Sequence, residues 1–132
     1  MKETNSNNEE IMSDSEIIEI INLILISELK QKGINFNDKI SLRANSYITG
    51  NVNDIIFVIC EIIFKLIKIS EDEASITFTL TEDETDWYFI VESSEIKKVN
   101  NNDLYLFKNI VLSIKNANLV KEDNSVKILL KK

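Results

Sequence analysis

Residues 75–92 read SITFTLTEDETDWYFIVE, and this stretch identifies the chain as a sheet-containing protein. Over Ser75–Glu82 large apolar residues alternate with threonine, which is the period of a strand that buries one face. The charged segment Glu82–Asp86 predicts a turn, and Trp87–Glu92 predicts the returning strand of a hairpin. The carboxylates of the turn lack the spacing and the glycine of an EF-hand loop, so we interpret them as a solvated hairpin tip and not as a calcium site.

Helical patterns lie on both sides of this hairpin. Apolar residues recur at steps of three and four from about 53 to 69, and Asn51 or Asn53 can cap the beginning of that helix. A similar stripe follows the hairpin and predicts a second helix from about 103 to 116. Each stripe is narrow enough to face one layer of the protein.

Shorter alternating segments complete the predicted sheet. One lies near 34–43, and two more, Asn118–Val120 and Val126–Leu130, are joined by a polar turn. Together with a leading helix, the order is α-β-α-β-β-α-β-β. We therefore predict an α/β protein of the α+β type, a two-layer sandwich whose mixed sheet carries its helices on one face.

The leading helix is predicted to begin after Ser13 or Asp14 and to end near Lys32, just before Gly33. Its middle, IIEIINLILISEL, is apolar on nearly every face but is shorter than the about 20 residues that span a bilayer. A short helix of this kind has to bury two sides, so we predict a homodimer, and the alternative is burial within its own domain. The residues predicted at the dimer interface are Ile17, Ile18, Ile21, Ile24 and Leu25.

The chain is predicted to hold one domain after a tail. Residues 1–13 are polar and acidic, which predicts a disordered tail. The remainder, 14–132, is long enough for one continuous core, with the leading helix at 14–32 and the α/β core at 34–131. The N-terminus lacks the basic and then apolar pattern of a signal peptide, so a cytoplasmic location is predicted.

Charge restricts the partners of the chain. It has 15 basic and 22 acidic residues, a net charge of −7, and Arg43 as its only arginine. Nucleic acids and anionic membrane surfaces are bound chiefly by lysine and arginine, so neither is a predicted partner.

Missing residue types exclude several kinds of site. The chain has no histidine, which excludes serine-type triads, phosphohistidine chemistry and the zincin motif. Gly33 and Gly50 are its only glycines, too few for a P-loop or a dinucleotide-binding loop. Cys60 lies in an apolar run and is interpreted as a buried structural thiol. We therefore predict no catalytic residue, no metal site and no cofactor.

Three successive segments have the order strand–turn–helix, hairpin, and helix–hairpin. They are residues 39–70 (KISLRANSYITGNVNDIIFVICEIIFKLIKIS), residues 75–94 (SITFTLTEDETDWYFIVESS) and residues 103–132 (DLYLFKNIVLSIKNANLVKEDNSVKILLKK). In order and length they resemble the Bergerat (GHKL-type) ATPase domain of bacterial histidine kinases. The similarity rests on the spacing of hydrophobic residues and on segment lengths, and not on signature residues.

The resemblance implies a nucleotide site whose defining residues are missing here. It places Glu61 and Lys65 where the family has the two asparagines of its N-box, and a cationic Lys65 cannot help to hold magnesium as the second asparagine does. The first glycine box falls at Glu92, Ser93 and Ser94, without aspartate or glycine. We therefore expect a degenerate domain that binds no ATP.

The domain also resembles the inactive C-terminal domain of bacterial histidine phosphotransferases, which dimerise and bind response-regulator receiver domains. Without histidine the chain cannot relay phosphate, so the resemblance implies a pseudo-phosphotransferase. We predict that it is not an enzyme but a non-catalytic adaptor of two-component signalling, which binds a receiver domain or a kinase.

Two other functions are alternatives to this adaptor. One is a small acidic dimeric chaperone of the type III secretion class, which normally has three consecutive strands between its first two helices, where this chain has room for two. The other is an enzyme that uses only carboxylates, which needs a pair such as Glu61 and Glu92 to converge in a pocket.

Overall fold

The computed structural model describes residues 9–43, 46–71 and 73–132. Its helices and strands are β1 (Glu10–Ser13), α1 (Asp14–Lys32), β2 (Asn35–Ser41), β3 (Tyr47–Gly50), α2 (Val52–Ile69), β4 (Ser75–Glu82), β5 (Asp86–Glu92), α3 (Asn101–Leu112), β6 (Ala117–Lys121) and β7 (Ser125–Lys131). One turn of 3₁₀ helix, Ile96–Lys98, lies between β5 and α3.

The main sheet has the strand order β2-β4-β5-β7-β6. Strand β2 runs parallel to β4, and the other neighbours are antiparallel, so the sheet is mixed as predicted. Ile76, Phe78 and Leu80 of β4 are fully buried, whereas the threonines between them are half-buried. The buried faces of the sheet and of all three helices belong to one core, which confirms the two-layer α+β architecture.

Local sequence explains both ends of α1. The Ser13 hydroxyl accepts a hydrogen bond from the Glu16 N–H at 3.2 Å, and the Glu16 carboxylate accepts one from the Ser13 N–H at 3.0 Å. This reciprocal pair is a capping box. Gly33 ends the helix at φ 67°, a left-handed conformation that glycine adopts without strain. Both ends therefore lie where the sequence predicts them.

Helix α1 buries one face only, and this corrects the predicted dimer interface. Ile17, Ile21 and Leu25 are at most 1% exposed and pack into the core of their own chain, because they share the four-residue spacing that faces the sheet and α2. They are therefore not available to a second copy. Ile18 is half-buried, and Ile24 alone of the five predicted residues is exposed.

A second sheet of two short strands corrects the predicted tail. Glu10–Ser13 was predicted to lie in a disordered segment, but it forms β1 and pairs antiparallel with β3, with Met12 opposite Ile48. The observed order is β-α-β-β-α-β-β-α-β-β. It contains two strands that were not predicted, β1 before α1 and β3 before α2. Residues 1–8 of the predicted tail lie outside the described residues.

Strand β1 also supplies a contact at the beginning of α2. Asn51 is the N-cap residue, but its side chain forms no capping hydrogen bond. Instead, Glu10 Oε1 accepts a hydrogen bond from the Asn53 N–H at 2.9 Å. A carboxylate at this end stabilises the helix because the backbone N–H groups there carry partial positive charge.

The Asp83 carboxylate stabilises the β4–β5 turn itself. The Asp83 carboxylate accepts hydrogen bonds from the backbone N–H groups of Thr85 at 2.9 Å and Asp86 at 2.8 Å, and from the Tyr88 hydroxyl. The Tyr88 contact, followed by the two backbone donors, holds the pKa of Asp83 well below its usual range. Within the described ranges, no group of three or more potential ligands could hold a metal ion.

Candidate functional site

The N-box positions lie on the outer surface of α2. Glu61 and Lys65 are both half-buried and one helical turn apart. Lys65 Nζ lies 3.7 Å from a carboxylate oxygen of Asp103, in the first turn of α3. This ion pair bridges α2 and the beginning of α3, so the cationic end of Lys65 is directed at a carboxylate of its own chain.

A groove separates α1 from α2 beside these residues. Its volume is about 360 Å³, and it is lined by Glu28, Glu61, Phe64, Lys65, Ile67 and Lys68. The lining therefore combines two acidic and two basic side chains with two apolar ones. Such a surface has no concentrated positive charge for the phosphates of a nucleotide.

The glycine-box positions divide between the two faces of the sheet. Val91 is fully buried under the helices, so Glu92, the next residue of β5, points to the opposite, open face. Ser93 is buried, and its hydroxyl accepts a hydrogen bond from the Glu95 N–H at 3.2 Å. Ser94 is exposed. On the open face these residues border a shallow cavity of about 450 Å³, lined by Ser75, Thr77, Glu92, Ser93, Ser94 and Asn124.

The two predicted parts of the nucleotide site are the N-box and the glycine box. The structure places Glu61 of the first and Glu92 of the second on different sides of the sheet. Glu61 lies in the helical layer, whereas Glu92 faces away from that layer. The same separation rules out a pair of catalytic carboxylates made of Glu61 and Glu92, since the sheet lies between them. Ser93 is the glycine-box position that faces the helices.

The link between β5 and α3 is short and packed. Ile96 and Val99 are buried in the core together with Leu104 of α3. Lys98 Nζ pairs with a Glu95 carboxylate oxygen at 2.8 Å, and this hydrogen bond and charge raise the pKa of Lys98. The link is therefore a short turn held by apolar side chains.

Cys60 of α2 has no chemical role that its surroundings favour. Its thiol is buried in the core, and burial followed by the neighbouring Glu61 charge raises its pKa to about 11. The thiolate is therefore scarce at neutral pH, as expected for a structural cysteine.

The outer face of α3 carries large apolar side chains that the sequence analysis did not single out. Leu104, Phe107 and Val111 face the core, which leaves Tyr105 and Leu106 exposed, together with Leu112 one helical turn and a half beyond. The helical period could have predicted this from the sequence, because adjacent residues of a helix point in different directions. If Phe107 faces the core, Leu106 points outward. An apolar group of this kind on a helix surface is typical of protein contacts.

Comparison with known proteins rests on structure alone. No protein-family model matches the chain, and no curated protein sequence matches it. The catalytic domain of histidine kinase ThkA superimposes with a TM-score of 0.75 at 12% identity, over 94% of this chain and 97% of that one. Histidine kinase AdeS from Acinetobacter baumannii gives 0.72 at 12% identity, over 93% of this chain and 66% of that one. The chain has the histidine kinase ATPase fold.

The histidine kinase ATPase fold contradicts one prediction. We predicted that the chain is not an enzyme, and the finding that its fold is that of histidine kinase catalytic domains overturns this prediction, because those domains belong to enzymes. The same fold does not support the alternative of a type III secretion chaperone, and the described residues form two strands, β2 and β3, between α1 and α2.

One solved structure with this fold contains a partner. It is histidine kinase ThkA in complex with the response regulator protein TrrA, and it matches with a TM-score of 0.71 at 13% identity, over 93% of this chain and 41% of that one.

No helix among the described residues is long and apolar enough to cross a membrane.

Proposed function

We propose that this chain is a protein-binding regulator of two-component signalling whose partner is the receiver domain of a response regulator. The fold supports the signalling context, and the complex of ThkA with TrrA supports the kind of partner. A cytoplasmic location, predicted from the N-terminal sequence, is part of this proposal.

The observation that carries the proposal is the ion pair between α2 and α3. Lys65 pairs with Asp103 across the place where the resemblance implies a magnesium-bound nucleotide. A lysine there repels a divalent cation, and the packed link that contains Ile96 and Val99 leaves no mobile segment to cover a ligand. We propose that the chain binds no magnesium–ATP, and that the fold serves protein contact.

The surface proposed for the receiver domain is the outer face of α3. Tyr105, Leu106 and Leu112 expose apolar side chains along this helix, with polar residues between them. An amphipathic helix that presents an apolar face outward is a common mode of protein recognition. A histidine kinase is the other partner that the resemblance allows, and the experiment below distinguishes the two.

The test is biosensor binding of the immobilised chain to purified receiver domains of its source organism. We expect saturable binding by at least one of them, and at least about tenfold weaker binding by Leu106→Glu, since removing one interface leucine costs about 1.4 kcal/mol or more. Leu23→Glu, which changes an exposed leucine of α1, is the matched control and should bind as the unmodified chain does.

Two results would contradict this assignment. Binding to the cytoplasmic part of a histidine kinase but to no receiver domain would replace the partner. Equal loss of binding in the Leu106→Glu and Leu23→Glu variants would show that α3 is not the contact surface.

The proposal also includes a homodimer formed through α1. Because Ile17, Ile21 and Leu25 are buried in their own chain, its surface has to come from the exposed side of the helix.

A further inference from the structure

The outer face of α1 has an apolar centre and charged ends. Leu23 lies opposite the buried face and is 71% exposed. Ile20 is half-buried and Ile26 is exposed, and they flank Leu23 on either side. Glu16 and Lys30 are exposed near the two ends of the helix. Helix α1 packs mainly against α2, β1 and β2. Ile20 also packs partly against the core, so Leu23 and Ile26 supply most of the exposed apolar surface.

This face has the same pattern in both directions from Leu23. Ile20 and Ile26 lie three residues before and after it, and Glu16 and Lys30 lie seven residues before and after it. Since seven residues are nearly two turns of a helix, Glu16, Leu23 and Lys30 form one line along α1. Glu16 and Lys30 are opposite in sign. Glu19 and Ser27, four residues before and after Leu23, are also exposed on this face, and a twofold arrangement centred on Leu23 would place them opposite each other.

We infer that α1 pairs with α1 of a second copy of this chain, antiparallel about a twofold axis at Leu23. This inference rests on the homodimer in the proposed function and assigns its surface. The axis places Leu23 against Leu23 of the second copy, and Ile20 against Ile26 of the second copy. Glu16 then faces Lys30 of the second copy, and the same pair occurs twice, as an isologous interface requires.

Charge selects this direction over the parallel one. In a parallel pair, Glu16 faces Glu16 of the other copy and Lys30 faces Lys30, which places like charges at both ends. In the antiparallel pair both ends hold opposite charges, and the two helix dipoles also oppose each other. The capping box uses Glu16 Oε1, so the second carboxylate oxygen points away from the cap.

The size of the contact sets the strength of the dimer. Helix α1 has 19 residues. It is therefore about 28 Å long. One pair of helices of this length buries less than the about 1,200 Å² at which stable interfaces begin. A weak, concentration-dependent dimer follows, and its affinity should be micromolar or weaker.

A charge-reversal experiment tests the antiparallel register. In Glu16→Lys all four end charges of a dimer become positive, and in Lys30→Glu they all become negative, so each variant alone should sediment as a monomer. An equimolar mixture should form dimers again, because each reversed charge then faces an opposite charge in the other variant. Sedimentation velocity over a range of concentrations measures this.

Leu23→Glu keeps the test valid if Glu16→Lys weakens the capping box. It leaves both ends of α1 unchanged and should weaken dimerisation by at least about tenfold, since it places two carboxylates at the centre of the contact. Leu106→Glu, a leucine of α3 that is 56% exposed, is the matched control and should dimerise as the unmodified chain does. Circular dichroism confirms that each variant is folded.

The possible failures can be told apart. If the unmodified chain dimerises and each charge variant alone dimerises equally well, the antiparallel register is wrong and the homodimer stands, because a parallel pair has like charges at both ends with or without either change. If the unmodified chain is monomeric at every concentration, both the inference and the homodimer are wrong. Binding of a receiver domain through α3 is measured separately and depends on neither result.

Discussion

At the scale of single residues, Glu82 at the end of β4 shows how neighbouring strand ends are held together. Its side chain is 4% exposed and accepts hydrogen bonds from Lys132 Nζ at 2.7 Å and from the Arg43 N–H at 2.7 Å. Burial raises its pKa, but these two donors and the Lys132 charge outweigh burial and hold the pKa of Glu82 below its ordinary value of 4.5.

This lowered pKa predicts how stability depends on pH. The charged carboxylate is favoured in the folded state, so its contribution is full above the ordinary value of 4.5 and is lost as the pH falls through the lower folded-state pKa. We expect Glu82→Gln to lower the urea midpoint at neutral pH and to differ less from the unmodified chain in acid. Urea denaturation at a series of pH values measures this.

Glu84→Gln is the matched control for this prediction. Glu84 is an exposed carboxylate in the same turn, so its loss should change the free energy of unfolding by less than about 0.5 kcal/mol. Equal effects of the two variants at every pH would show that the Lys132 and Arg43 contacts do not stabilise the fold.

At the scale of elements, α1 has one buried face and one exposed face, and both carry apolar residues. Ile21 and Leu25 are buried in the core, whereas Leu23 and Ile24 are exposed. We expect Ile21→Glu and Leu25→Glu each to destabilise the fold by about 4 kcal/mol, because a core side chain is lost and a charge is buried. Leu23→Glu and Ile24→Glu should leave the thermal midpoint nearly unchanged.

Thermal unfolding followed by circular dichroism measures all four variants. The result that would contradict this view of α1 is a folded, monomeric Ile21→Glu or Leu25→Glu with the stability of the unmodified chain. Such a result would return these two residues to a dimer interface.

Elements fixed by local chemistry were predictable from the sequence. The capping box at Ser13, the glycine at the end of α1 and the alternation in β4 and β5 each depend on neighbouring residues. Strands β1 and β3 were missed, because each has four residues and is a strand only through its distant partner. The two faces of α1 were not distinguishable, since isoleucine or leucine occurs on both.

The candidate site was predictable only in part. Alternation in Trp87–Glu92 was sufficient to show that Glu92 points away from the helices once Val91 is buried, although the prediction did not use it. The ion pair of Lys65 with Asp103 depends on how α2 packs beside α3, which no local pattern encodes.

At the scale of the whole molecule, a catalytic domain's fold carries a surface with different chemistry. The order of strands and the helices on one face match histidine kinase catalytic domains at 12% identity, so the core tolerates almost complete change of sequence. The resemblance assigns Glu61 and Lys65 to the N-box. Both side chains line a mixed-charge groove, and Lys65 also pairs with Asp103.

The central proposal is that this chain has the fold of histidine kinase catalytic domains but binds no magnesium–ATP. Calorimetric titration with ATP and magnesium tests it most directly. Lys65→Asn is the informative companion variant, because it removes the ion pair with Asp103 but leaves the link with Ile96 and Val99 packed. The account predicts no measurable binding for the unmodified chain and none for Lys65→Asn, whereas micromolar affinity of the unmodified chain would contradict it.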